Sequence, residues 1–194
     1  MTEPKKTAVI GQPIEHSLSP VIHNFWINRQ NINAAPYEKI EVDPNNFDKS
    51  LDELISLGYY GLNVTVPLKE LAFSRCDELT ESAKQTKSAN TLVFKEGKIY
   101  GTNTDPVGFE FSLNKSIIKN NINNKKCLVL GAGGSARAIV FALNKMSADI
   151  SIFNRTQEKA RKLCEDLGVT ANLVEDRDIK KQTSSFDFIV NTTS

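Results

Sequence analysis

The chain has 194 residues, 40% of them hydrophobic, enough for one large domain or two small ones around a buried core. Its net charge is +1 with both signs mixed throughout, which excludes a basic face for nucleic acid and a polybasic membrane segment and leaves small molecules as the expected partners. Cys76, Cys127 and Cys164 are odd in number and lack C-x-x-C spacing, so reduced, partly buried thiols are expected rather than a disulfide framework or a zinc site. The N-terminal residues 1–6 carry no apolar signal core and no apolar run is long enough to span a membrane, so a cytoplasmic location is expected.

In chain order, residues 7–10 form a short apolar strand closed by Gly11-Gln-Pro13. The spacing of Val21, Ile22, Phe25 and Trp26 predicts a helix over 21–28 with its apolar side chains in the core, Ser19 as its N-cap and Pro20 at its first position. Residues 37–42 read as a strand, and Asp43-Pro44 starts a helix that carries Phe47, Leu51, Leu54 and Ile55 and ends near Gly58. A strand over 61–66 follows, then a helix opened by Pro67 and a short helical stretch beginning near Thr80. Residues 90–94 and 98–100 alternate like strands about a hairpin turn at Glu96-Gly97. Asp105-Pro106 begins a helix that ends in the polar tract 119–124. That tract is the expected hinge at 120–124, between a first unit, 1–119, and a second, 125–194. The second unit reads as strand 127–130, helix 136–143, strand 149–153, helix 156–167 stopped by Gly168, and strand 186–191. Strands alternating with helices predict an α/β fold with parallel sheets in both units, the second being about half of a doubly wound domain.

Gly131-Ala132-Gly133-Gly134-Ser135-Ala136 lies where the first strand of the second unit turns into its helix, a dinucleotide-binding context. Gly131 permits the turn, Gly133 lets the backbone approach a pyrophosphate at the helix N-terminus, and Ala136 allows close helix-sheet packing. The next strand ends in Asn154-Arg155-Thr156, where this arrangement meets the adenosine ribose, and no acid stands there. A carboxylate would accept from a free 2′-hydroxyl and repel a 2′-phosphate, whereas Arg155 offers the phosphate a permanently charged fork. The pattern therefore favours NADP over NAD, the other reading being an exposed arginine flanking a helix.

The first unit holds polar residues at strand ends and helix starts. Ser17 and Ser19 pair two hydroxyls with helix N-terminal amides, suited to a carboxylate or serving only as an N-cap and a bystander. Asn63 and Thr65 alternate at a strand end, and Lys69 follows on the first turn of the next helix, where the dipole disfavours a cation; it is either functional or a solvated surface lysine. Asp105 either caps its helix beside Pro106 or joins Lys69 as an acid-base pair. His16 and His23 lack a third ligand at metal-binding spacing, so no metal is expected.

Together these residues resemble the shikimate dehydrogenase family. The match runs from Ala8 to the end of the chain and covers Ser17-Leu-Ser19-Pro20 with His23-Asn24, Asn63-Val-Thr65-Val-Pro67-Leu-Lys69, Ala89-Asn90-Thr91, Asn103-Thr-Asp105, Gly131-Ala-Gly-Gly134 and Asn154-Arg-Thr156. The resemblance implies an N-terminal α/β substrate and catalytic domain and a C-terminal Rossmann-like NADP-binding domain, incomplete in these 194 residues. It implies an oxidoreductase that uses NADP(H) to reduce 3-dehydroshikimate reversibly to shikimate on the route to chorismate and the aromatic amino acids, and it is compatible with a homodimer. Ser17 and Ser19 would hold the substrate carboxylate, and Thr65, Asn90 and Asp105 its hydroxyl and carbonyl groups. Lys69 would be the general acid/base with Asp105 its partner. Glu81 would lie on the cofactor side, with Gly131, Ala132, Gly133, Gly134, Ser135, Asn154, Arg155 and Thr156 binding the dinucleotide. The alternatives are an NAD-accepting quinate/shikimate dehydrogenase and a non-catalytic, truncated NADP-binding homologue. Two positions depart from the family pattern: Pro106 replaces a glycine after Asp105, where it would stiffen the approach of that residue, and Lys87-Ser-Ala89 replaces a Gly-Ala-Val-like segment before Asn90. Family members also continue with segments that cover the nicotinamide and supply a glutamine to the substrate, so residues 1–194 alone are expected to associate and to turn over little.

Overall fold

A computed structural model describes residues 3–115, 122–177 and 183–193. Two units emerge, one of Met1–Ala83 and Ser88–Thr102, the other of Lys84–Lys87 and Asn103–Ser194.

The first unit is built on β1 (Lys6–Gly11), β2 (Glu38–Glu41), β3 (Tyr59–Val64), β4 (Glu78–Leu79), β5 (Thr91–Lys95) and β6 (Lys98–Thr102), in the sheet order β2-β1-β3-β5-β6-β4. β1 pairs in parallel with both β2 and β3, and Ala8, Val9 and Ile10 are buried in succession, as befits a strand covered on both faces. The sheet is mixed rather than parallel as expected, since β5 is antiparallel to both β3 and β6. The cause is local. Glu96 (φ 55°) and Gly97 (φ 73°) close β5 and β6 into a two-residue hairpin, a connection that only an antiparallel pair can use.

Four helices accompany this sheet: α1 (Ser19–Arg29), α2 (Phe47–Ser56), α3 (Lys69–Ser74) and α4 (Glu81–Thr86). α2 turns Phe47, Leu51 and Leu54 into the core at i, i+4 and i+7, and a single 3₁₀ turn, Pro44–Asn46, leads into it. α1 corrects the sequence reading. It buries no residue, and Val21, Ile22, Phe25 and Trp26 are exposed. Helical spacing identified the apolar stripe but not what it faces. The helix is tied down by polar contacts: Asn24 exchanges two hydrogen bonds with the Tyr37 backbone, at 2.7 and 3.0 Å. Its N-cap is Leu18 rather than Ser19, and the Ser19 N–H donates to Ser17 Oγ at 3.3 Å.

The second unit begins with α5 (Asp105–Lys115) and continues through β7 (Lys126–Leu130), α6 (Gly134–Lys145), β8 (Asp149–Phe153), α7 (Gln157–Leu167), β9 (Asn172–Val174) and β10 (Phe188–Asn191). Its strands are all parallel, in the order β10-β7-β8-β9. α5 had been expected in the first unit; it falls in the second because Phe109 and Leu113, one turn apart, pack on the second core beside Val140 and Leu143 of α6. The expected hinge at 120–124 lies partly outside the described residues, and within it Ile122 is buried in that same core. α7 stops at Gly168, which takes the left-handed conformation (φ 62°) that ends many helices.

Candidate active site

β1 and β3 run in the same direction and end at Gly11 and Val64, while β5 runs oppositely and begins with Thr91 facing Asn63. Three connections therefore meet at one edge of the first sheet, bearing Ser17 and Ser19, Thr65 and Lys69, and Asn90. Backbone bonds lock them together. The Thr65 N–H donates to the Ile10 carbonyl at 2.9 Å, Val64 to Asn90 at 2.8 Å, and Ala89 to Lys69 at 2.9 Å. Gly11 allows the β1 and β3 connections to close up: a Cβ there would stand 2.5 Å from Thr65 Cγ2 and 2.9 Å from the Val66 carbonyl.

Lys69 is the first residue of α3 and is only 9% exposed. The sequence left open a solvated surface lysine; the structure buries it. The partially positive start of a helix is an unusual place to bury a basic side chain. Ser17 and Ser19 are half-buried, as are Thr65 and Asn90. The amide of Asn63 is engaged at both ends, by Tyr37 and Thr91. Sequence reasoning gave Tyr37 no role beyond a strand start and Thr91 no role beyond its place in a matched motif; the strand register brings Thr91 to Asn63.

In the second unit Asp105 is the first residue of α5 and half-buried. The Asn103 side chain accepts a backbone bond here, from the Asp105 N–H at 3.1 Å. Buried Asn103 in turn donates to Thr86 Oγ1 at 3.0 Å. The Asp105 carboxylate stands at the start of α5. Glu81, assigned to the cofactor side, is an exposed residue at the start of α4 in the first unit.

The strand order of the second sheet reverses direction between β7 and β10, and the glycine loop leaves β7 at that switch point, where open α/β sheets bind ligands beyond their carboxyl ends. Gly131 has φ 112° and abuts Thr192, whose hydroxyl donates back to the Leu130 carbonyl at 2.6 Å. Gly133 is the N-cap of α6, makes no side-chain cap, and has open space where a Cβ would stand. An uncapped 12-residue helix behind an unobstructed backbone fits a pyrophosphate. Ala136 is fully buried against the sheet. At the end of β8, Asn154 and Arg155 line a cavity of about 530 Å³ together with Gln157, Arg161, Glu175 and Asp176. Asn154 Nδ2 donates to the Thr156 carbonyl at 2.7 Å, fixing the turn that presents Arg155. Arg161, a second cation on this cavity, escaped the sequence reading because it lies a helical turn beyond the motif. The two acids belong to the segment after β9, and Glu175 already pairs with Arg177 at 2.8 Å.

The family described as shikimate dehydrogenase substrate binding domain matches residues 9–92, and that described as shikimate/quinate 5-dehydrogenase matches 112–194. The shikimate dehydrogenase (NADP(+)) of Pelagibacter ubique is 42% identical over 98% of the chain and 69% of its own length. The chain belongs to the shikimate dehydrogenase family. The relative of the same name from Aquifex aeolicus is also 42% identical, and the chain spans 66% of it. The crystal structure of shikimate dehydrogenase from Aquifex aeolicus superposes with a TM-score of 0.86 at 38% identity, over 100% of this chain and 71% of that one. The Thermus thermophilus enzyme, solved in complex with NADP(H) and shikimate, gives 0.79 at 31% identity, over 97% of this chain and 68% of that one.

Both departures from the family pattern have local reasons. Pro106 is the second residue of α5 and buried, a position where its missing N–H costs no helical bond. Lys87 has φ 47°, the left-handed region that favours glycine, and it spends its side chain on Asp166 at 2.9 Å.

Proposed function

We propose that the chain catalyses the reversible, NADP-linked reduction of 3-dehydroshikimate to shikimate, with Lys69 as general acid/base and Asp105 as its partner. The observation that carries this reading is the burial of Lys69 at the sheet edge where the connections bearing Ser17, Ser19, Thr65 and Asn90 meet. At such an edge a carboxylate would accept from the Ser17 and Ser19 hydroxyls, and the ring hydroxyls would be read by Thr65 and Asn90. Protonated Lys69 gives its proton to the C3 oxygen as negative charge develops there, and takes it back in oxidation. Asp105 would hold a substrate hydroxyl as the partner of Lys69 in this proton transfer.

Gly131, Ala132, Gly133, Gly134 and Ser135 would hold the pyrophosphate, Asn154, Arg155 and Thr156 the 2′-phosphate of the adenosine, and Glu81 would lie on the nicotinamide side. Bound there, NADPH supplies the hydride. Arg155 favours this cofactor over NAD. Among the described residues no helix is long and apolar enough to cross a membrane, and we place the enzyme in the cytoplasm, with a homodimer compatible with the reading.

The test is to mix the protein with shikimate and NADP⁺ and follow nicotinamide absorbance, with quinate and NAD⁺ as comparators. Reduction with the first pair, slow for residues 1–194 alone, and much less with either substitute, is expected. Turnover favouring quinate or NAD⁺ would overturn the corresponding half of the proposal.

A further inference from the structure

We infer that Tyr37 is a positioning residue for Asn90, acting through a chain of side-chain hydrogen bonds that sets which end of the Asn90 amide is offered to substrate; this rests on the role proposed for Asn90. The Tyr37 hydroxyl donates to Asn63 Oδ1 at 2.7 Å. Asn63 Nδ2 donates to Thr91 Oγ1 at 3.1 Å, and the Thr91 hydroxyl donates to Asn90 Oδ1 at 3.0 Å.

The direction of the chain follows from donor counting. A hydroxyl carries one hydrogen, and a primary amide has one accepting and one donating end. Once Tyr37 donates, Asn63 must turn its oxygen to Tyr37 and its nitrogen to Thr91. Thr91 then receives on a lone pair and sends its one hydrogen to Asn90 Oδ1. The oxygen end of Asn90 is thereby committed to Thr91, and its NH₂ end is the donating end, the one matched to a hydroxyl or carbonyl oxygen of a substrate.

The far end of the chain is rigid. Tyr37 is 5% exposed, its backbone is gripped by Asn24 on both sides, and its ring stacks on His23 with centroids 4.2 Å apart and planes 9° from parallel. Burial raises its pKa above the ordinary phenol range, so it remains a donor across the pH range of an enzyme assay. The middle is rigid too, because Asn63 and Thr91 are directly opposed across an antiparallel pair.

The test is Tyr37→Phe, which keeps the ring and its stacking and removes only the donor. Shikimate affinity, measured by titration calorimetry on the full chain, should fall roughly tenfold, the worth of about one hydrogen bond, while NADP⁺ affinity stays put. In the ligand-free protein the Asn90 side-chain NH₂ resonances should shift. A merely structural role would lower the melting temperature and leave those resonances in place. Unmoved Asn90 resonances overturn the inference, as does wild-type shikimate affinity in the variant. If the wild-type chain does not bind shikimate, the proposed function falls, and the resonances still decide whether the relay exists.

Discussion

Lys87, held at a left-handed φ of 47°, reaches the carboxylate of Asp166 with its ammonium at 2.9 Å. The other oxygen of that carboxylate accepts from Arg137 at 2.8 Å, and the Arg137 side chain is only 5% exposed. One acid therefore pairs with two cations, one of them buried.

The Lys87 hydrogen bond, followed by that of Arg137 and opposed by partial burial, holds the Asp166 carboxyl below its usual range. The sign follows from linkage. A carboxylate whose folded pKa is lowered adds stability that is fully present above the unfolded value of about 4 and is lost as pH falls through the folded value. Asp166→Asn should cost roughly 1–3 kcal/mol at pH 7, because Arg137 loses a charged acceptor, and the gap from wild type should narrow towards pH 3. Urea denaturation at the two pH values checks this; an equal gap at both contradicts it.

Lys69→Ala should lower kcat by a factor on the order of 10²–10⁴ with a smaller change in KM, the pattern of a lost proton donor. Steady-state kinetics in both directions provides the check, and near-wild-type kcat excludes the role.

Arg155→Asp should shift the NADP⁺/NAD⁺ affinity ratio towards NAD⁺ by roughly tenfold to a hundredfold, one part from lost attraction and one from added repulsion. Arg161 lines the same cavity but is largely exposed, so Arg161→Ala should weaken NADP⁺ by no more than about fivefold. Competition binding with both dinucleotides measures the two. An unchanged ratio in the Arg155 variant would be fatal to the assignment.

The two glycines of the loop should separate stability from binding. Gly131→Ala meets Thr192 Oγ1 at 2.5 Å and imposes φ 112° on a residue with a side chain, so the melting temperature should drop, with a cost of about 1–3 kcal/mol. Gly133→Ala meets open space at an extended backbone and should melt like wild type while losing dinucleotide affinity. Equal melting temperatures for both variants would refute the distinction.

What the sequence disclosed was what depends on near neighbours. The strand-turn-helix at 127–136, the hairpin at Glu96-Gly97 and the exposed β8 end at Arg155 are each set within a few residues. The facing of α1 was not, because Val21, Ile22, Phe25 and Trp26 make the same helical stripe whether or not anything covers it. β4 and β9, two and three residues long, carry no period to detect. α5 packs on the second core, and a polar tract after it marks a loop without saying which core the preceding helix joins. Lys69 was found as a misfit of charge and helix dipole, but its burial was invisible. The Tyr37 relay could not have been read at all: Asn63 meets Thr91 only through the register of β3 against β5, and Tyr37, just ahead of β2, reaches Asn63 only across the β2-β1-β3 order.

That register has a kinetic side. The β5–β6 hairpin closes through a two-residue turn, a contact the chain finds early, whereas β1 meets β3 only after α1, β2 and α2 have been laid down between them. Ser17 and Asn90 come to the same edge only through that late, long-range pairing. With the roles proposed for Ser17 and Asn90, recognition of the substrate would wait on the slowest part of the first unit to assemble, and a ligand held there would stabilise the whole sheet by mass action rather than any single strand.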